Sequence, residues 1–129
     1  YLSNQKSLKQ VGLIDFQDAV IGSPIYDLVS LLEDVRRPIK TNLQNELFEF
    51  YIKGVNINVQ DAEREMKFFS IQRNLKILGI FCRLSIRDKK DSYLKYLPNA
   101  VKLIRKNLQD PIFTNLVNWL KQFKNQELI

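Results

Sequence analysis

The chain reads as a mainly helical domain that is α+β at its N-terminus, and three features of its order predict this. Val11, Leu13 and Ile14 lead as a short apolar strand into Asp15. From Ile25 onward apolar residues recur at steps of three and four, the period of a helix with one buried stripe. Four prolines, at 24, 38, 98 and 111, fall where helices begin or break.

The first fifteen residues read as two strands, Tyr1-Leu2 and Leu8 to Asp15, around the polar turn Ser3 to Ser7. A first helix is predicted from Pro24 through Ile25, Leu28, Val29, Leu32 and Val35 until Pro38 ends it. A second, capped by Thr41 or Asn42, runs through Leu47, Phe48 and Ile52 and closes at Gly54. The longest spans Asp61 to about Ile86 and contains Gly79, a residue that costs a helix interior about 1 kcal/mol against alanine. Close packing or substrate approach is the expected reason for it. Ser92 to Leu108 forms a fourth pattern, divided by Pro98 into a short lead and a main helix, and the last runs from Pro111 to about Phe123. Tyr93, Tyr96 and Trp119 are expected in the core or between helices, and Cys82 is expected to be buried.

Composition narrows the function classes. At 129 residues, 45% apolar and 11% aromatic, the chain is one domain's worth of foldable sequence. One cysteine precludes an internal disulfide, and with no histidine a zinc site is not expected. No apolar run approaches membrane-spanning length and no signal pattern is read, so a cytoplasmic protein without membrane contact is expected. The formal charge of +6 favours anionic partners and disfavours a polycationic substrate. No nucleic-acid motif accompanies that charge, and nucleic acid is not the expected partner.

The densest chemical signal is Val11-Gly12-Leu13-Ile14-Asp15-Phe16-Gln17-Asp18, an apolar strand ending at a carboxylate and turning at once into a loop. A carboxylate held at a loop mouth suits magnesium, a hard cation bound by oxygen. With Tyr26-Asp27-Leu28 and the stretch up to Arg37, it resembles the aminoglycoside phosphotransferase-like kinases. Within them it is most similar to the bacterial sugar kinases that phosphorylate N-acetylmuramate or N-acetylglucosamine at the anomeric position. Gln72 to Leu84, Arg87-Asp88, Tyr93 to Pro98 and Asp110-Pro111 extend the likeness in the same order over nearly the full chain.

That resemblance implies a C-terminal helical subdomain of a protein-kinase-like fold. Residues 1–24 would form the strand pair and metal loop, and residues 25–129 a helical substrate platform. It implies ATP and Mg2+ as cofactors of a complete enzyme, Asp15 as the metal ligand and Asp27 as a brace beneath the catalytic loop. Read alone, Asp15 is also compatible with a strand-end carboxylate capping its turn, and Asp18 with either a substrate-facing carboxylate or a turn former. The catalytic Asp, its partner Asn and the nucleotide lobe would lie upstream of Tyr1, and no glycine-rich cradle occurs among four glycines. The expectation is a chain inactive by itself, partnered by an upstream-encoded lobe; a decayed remnant or a non-catalytic helical interaction protein is the alternative.

Arg73, Lys76, Arg83 and Arg87, with Ile80 between them, step by three and four over roughly 21 Å of helix. The row reads either as a solvated face or as a site for an acidic amino sugar, because an arginine fork matches a carboxylate. On the second reading Arg83, Arg73, Arg87, Gln72 and Asp18 bind substrate, Asn74 adds an amide contact, and Arg83 leads because it lies beyond Gly79. Arg36 and Arg37 are placed to cap the first helix.

Overall fold

A computed structural model describes residues 21–123. The predicted strand pair, together with Asp15 and Asp18, lies outside the described residues. What is described is helical: α1 (Ile25–Leu32), α2 (Thr41–Val55), α3 (Val59–Asp88), α4 (Leu97–Leu108) and α5 (Thr114–Leu120). Short 3-10 segments, Asp91–Tyr96 and Pro111–Phe113, lead into α4 and α5. The division at Pro98 and the helix start at Pro111 thus take the predicted form, with each proline in a first turn where its missing N–H costs nothing.

The thirty residues of α3 form the spine, and α1, α4 and the segment before α4 all pack on it. Ile25 and Val29 of α1 meet Ile52 of α2 and Ala62 of α3 in one apolar cluster. Further along, Ile71 meets Ile104, Leu108 and Phe113. Val35, Phe81 and Ala100 close the far end, where Tyr93 and Tyr96 pack at 5.3 and 6.2 Å from the Phe81 ring.

Several boundaries differ from the sequence expectation, each for a local reason. Helix α1 stops at Leu32 rather than running toward Pro38, because the Asp34 carboxylate accepts the Arg36 N–H at 2.9 Å and turns the chain. Val35 is still buried, but from outside the helix. Nor do Arg36 and Arg37 cap α1: Arg36 forks onto Asp34 at 3.1 and 3.2 Å, and the Leu32 carbonyl accepts instead from Gln44 Nε2 at 2.9 Å.

Helix α2 passes Gly54 and ends at Asn56, which takes the left-handed conformation with φ of 53°. Neither Thr41 nor Asn42 caps its start; Lys40 occupies that position without a side-chain bond. Helix α3 begins two residues before Asp61, since Asn58 Oδ1 accepts from the backbone of Gln60 and Asp61 at 2.9 and 3.2 Å. It ends at left-handed Lys89, with Lys89 and Lys90 donating to the carbonyls of Ser85 and Leu84.

Two packing expectations are also corrected. Cys82 is exposed, because Phe81 takes the inward position and the next residue turns about 100° away. Trp119 is 53% exposed and stacks edgewise on Phe123 at 4.7 Å rather than entering the core.

Gly79 is exposed, and a β-carbon there would meet no atom within 4 Å. Close packing therefore does not explain the residue. Gly79→Ala is expected to stabilise the fold by about 1 kcal/mol, read as a raised urea midpoint; a lowered midpoint would show a packing constraint at this position.

Candidate functional site

The start of α1 is pinned to its neighbours at three points. Ser23 Oγ accepts the Ile25 N–H at 3.1 Å and donates to the Glu65 carboxylate on α3. Tyr51 of α2 donates its hydroxyl to the Pro24 carbonyl at 3.1 Å. Tyr26 packs edgewise on Phe69 at 5.6 Å and receives the Lys76 ammonium at 3.3 Å from its oxygen. These contacts hold residues 23–26 against α2 and α3.

Asp27 is exposed on the first turn of α1, where a carboxylate gains from the helix dipole. It makes no hydrogen bond among the described residues. One turn later Leu31 is 62% exposed on the same helix.

The residues of the basic row on α3 differ in exposure and partners. Gln72, Arg83 and Arg87 are exposed. Arg87 is taken by Asp88 in a two-pronged contact at 2.7 and 3.0 Å, and Lys76 by Tyr26. Arg73 leaves the row: it is half-buried beside α1, its Nε has no partner among the described residues, and its charge acts on Glu33 and Asp34. Arg83 is the exposed arginine of the row whose guanidinium has no hydrogen bond or ion pair within the described residues.

Asn74 overturns its predicted role. It is fully buried, donating to the Ser70 carbonyl at 2.9 Å and to Glu33 Oε2 at 3.3 Å, and is not open to a sugar. It belongs to a polar junction that sequence reasoning missed. Ser70 Oγ donates to Glu33 Oε2 at 2.5 Å and accepts from Asn107 Nδ2 of α4 at 2.8 Å. Burial pushes the Glu33 carboxyl above the usual glutamate range, against the opposing bond from Ser70 and charge of Lys106. A signal was present: Ser70 and Asn74 stand four residues apart between the apolar positions Ile71, Leu75 and Leu78.

Elsewhere, Lys67 pairs with Asp110 at 2.6 Å, and that bond holds the Asp110 carboxyl below its usual range. Among the described residues no group of acidic, cysteine or histidine side chains could hold a metal, and no helix is long and apolar enough to cross a membrane.

Residues 4–69 match the phosphotransferase enzyme family, APH. Over 102 residues the chain is 35% identical to the N-acetylmuramate/N-acetylglucosamine kinase of Neisseria meningitidis serogroup B, a match covering 74% of this chain and 30% of that protein. The protein of the same name from Caulobacter vibrioides is 27% identical over 124 residues, 95% of this chain and 34% of the relative. That of Pseudomonas aeruginosa is 33% identical over 101 residues. The chain spans about a third of the length of the curated relatives it matches.

The Glu33 junction makes a pH prediction. A carboxyl whose folded-state pKa is raised contributes stability that is fully present below the ordinary glutamate range and is lost as pH rises through the raised value. Glu33→Gln keeps an oxygen acceptor for Ser70 and Asn74 but removes this titration. Urea midpoints measured between about pH 4 and pH 8 should decline less steeply for the variant, leaving it at least as stable at the upper end. Equal slopes in the two proteins would contradict the assignment.

Proposed function

The chain belongs to the phosphotransferase enzyme family, and from that membership we propose that it forms the substrate-side, C-terminal portion of an ATP-dependent kinase acting on an amino-sugar hydroxyl. The match to the Caulobacter kinase carries this reading, because it takes in 95% of the chain and so runs through the described helices. The remaining two-thirds of such an enzyme, with the nucleotide site and the catalytic base, would come from polypeptide preceding these residues. The exposed Asp27 and Leu31 support a docking face for it: one offers a carboxylate to the catalytic loop, the other apolar surface.

Magnesium, when bound, would neutralise charge on the transferring phosphates. Asp15 is the ligand proposed for it, and the described residues offer no rival cluster. Asp18, three residues on, is proposed to face the substrate hydroxyls. The pinned start of α1 would then set how that loop meets α3.

For the sugar, Arg83 is the proposed recognition residue. Its guanidinium is exposed and uncommitted within the described residues, and N-acetylmuramate carries a lactyl carboxylate that an arginine fork matches. Gln72, eleven residues away and roughly 16 Å along the helix, is proposed to contact a part of the substrate away from its carboxylate. Arg73 faces α1 and Arg87 is held by Asp88, so both are proposed to shape the field rather than contact sugar.

Two variants of the whole enzyme test the reading. Arg83→Ala should raise KM for N-acetylmuramate about tenfold, as expected for loss of about 1.4 kcal/mol, while leaving KM for N-acetylglucosamine, which lacks the carboxylate, unchanged. Asp15→Asn should lower kcat at least about a hundredfold, the scale seen when a group that stabilises transition-state charge is removed. Equal effects of Arg83→Ala on both sugars, or full activity of Asp15→Asn, would refute the respective assignments.

A further inference from the structure

At the far end of α1 from Ser23 and Tyr26, a cavity of about 360 Å3 opens among α1, α2, α3 and α4. That volume lies within the usual range for small-molecule sites. Its lining includes Glu33, Lys106, the exposed Glu63 and the apolar side chains of Leu32, Phe48 and Met66.

Glu33 and Lys106 are placed unusually for neighbours. Glu33 cannot swing, because its Oε2 is held by Ser70 and Asn74, and Ser70 in turn by Asn107. Its Oε1 makes no hydrogen bond among the described residues. Lys106 is close enough for its charge to act on Glu33, yet the two form no ion pair. The cavity's second lysine, Lys67, is committed to Asp110. A rigid anion and an uncommitted cation thus share one cavity without touching, beside an apolar wall.

We propose that this cavity binds a free α-amino acid with an apolar side chain. Its ammonium would meet Glu33, its carboxylate Lys106, and its side chain Phe48, Met66 and Leu32. A dipolar ligand meets Glu33 and Lys106 at once, whereas a simple anion or cation meets only one of them. None of the cavity's lining residues is proposed for the sugar or the metal, and the site does not depend on phosphoryl transfer.

The test is a titration of the 15N-labelled chain with L-leucine, with 4-methylpentanoate, which lacks the amine, and with 3-methylbutylamine, which lacks the carboxylate. Leucine should give saturable shifts at amides around Glu33, Phe48 and Lys106, with both single-charge analogues at least tenfold weaker. Lys106→Gln, at an exposed position, should weaken leucine at least tenfold without unfolding the chain, and Glu33→Gln likewise. Should Glu33→Gln fail to fold, the lysine variant decides. Absence of saturable shifts at millimolar leucine, equal binding of all three compounds, or undiminished binding by folded Lys106→Gln would overturn the proposal.

Discussion

One half-buried carboxylate ties three helices together. Glu33 sits where α1 ends, and its Oε2 takes donors from Ser70 and Asn74 at the middle of α3, while Asn107 of α4 completes the group through Ser70. A carboxylate removed from water without partners would be costly, so each of these donors is a condition of the fold rather than an ornament. The junction stands between the apolar clusters that pack the two halves of α3. Helix α1, at eight residues, is too short to persist by itself and takes its place from Ile25, Val29 and this polar tie.

That dependence bears on function because α1 is the element that follows the proposed metal loop. Its two ends are held differently. The first is pinned by Ser23, Pro24 and Tyr26 through contacts with α3 and α2, the last by Glu33. A helix fixed at both ends would give the metal-ligating carboxylate proposed at Asp15, which tolerates little positional error, a firm neighbour. On this view the helical platform serves the reaction by rigidity, and Arg83 supplies selectivity from a separate stretch of the same spine.

Much of the helical order was legible in the sequence because one apolar stripe repeats through each element, as Ile25, Val29 and Leu32 do in α1. The family likeness carried by Tyr26-Asp27-Leu28 and the Gln72 to Leu84 stretch agrees with the relatives found. The boundaries were less legible, since they were decided by single side chains competing for backbone groups: Asp34 ended α1 early, Asn56 rather than Gly54 closed α2, and Asn58 opened α3. The basic row illustrates a deeper limit. Spacing placed Arg73, Lys76, Arg83 and Arg87 near one another around the helix, but it could not say that Tyr26, Asp88 and the flank of α1 would claim three of them. Asn74 was misread for the same reason: a polar residue on the inner face has a buried partner, and that partner, Glu33, lies forty-one positions away.

The central claim is that these helices form the sugar-binding portion of a phosphotransferase. Phosphorus NMR of the whole enzyme, supplied with ATP and magnesium and offered either N-acetylmuramate or a polycationic aminoglycoside, addresses it directly. The account predicts a new sugar-phosphate resonance with N-acetylmuramate alone. Phosphorylation of the aminoglycoside with none of the amino sugar would contradict it.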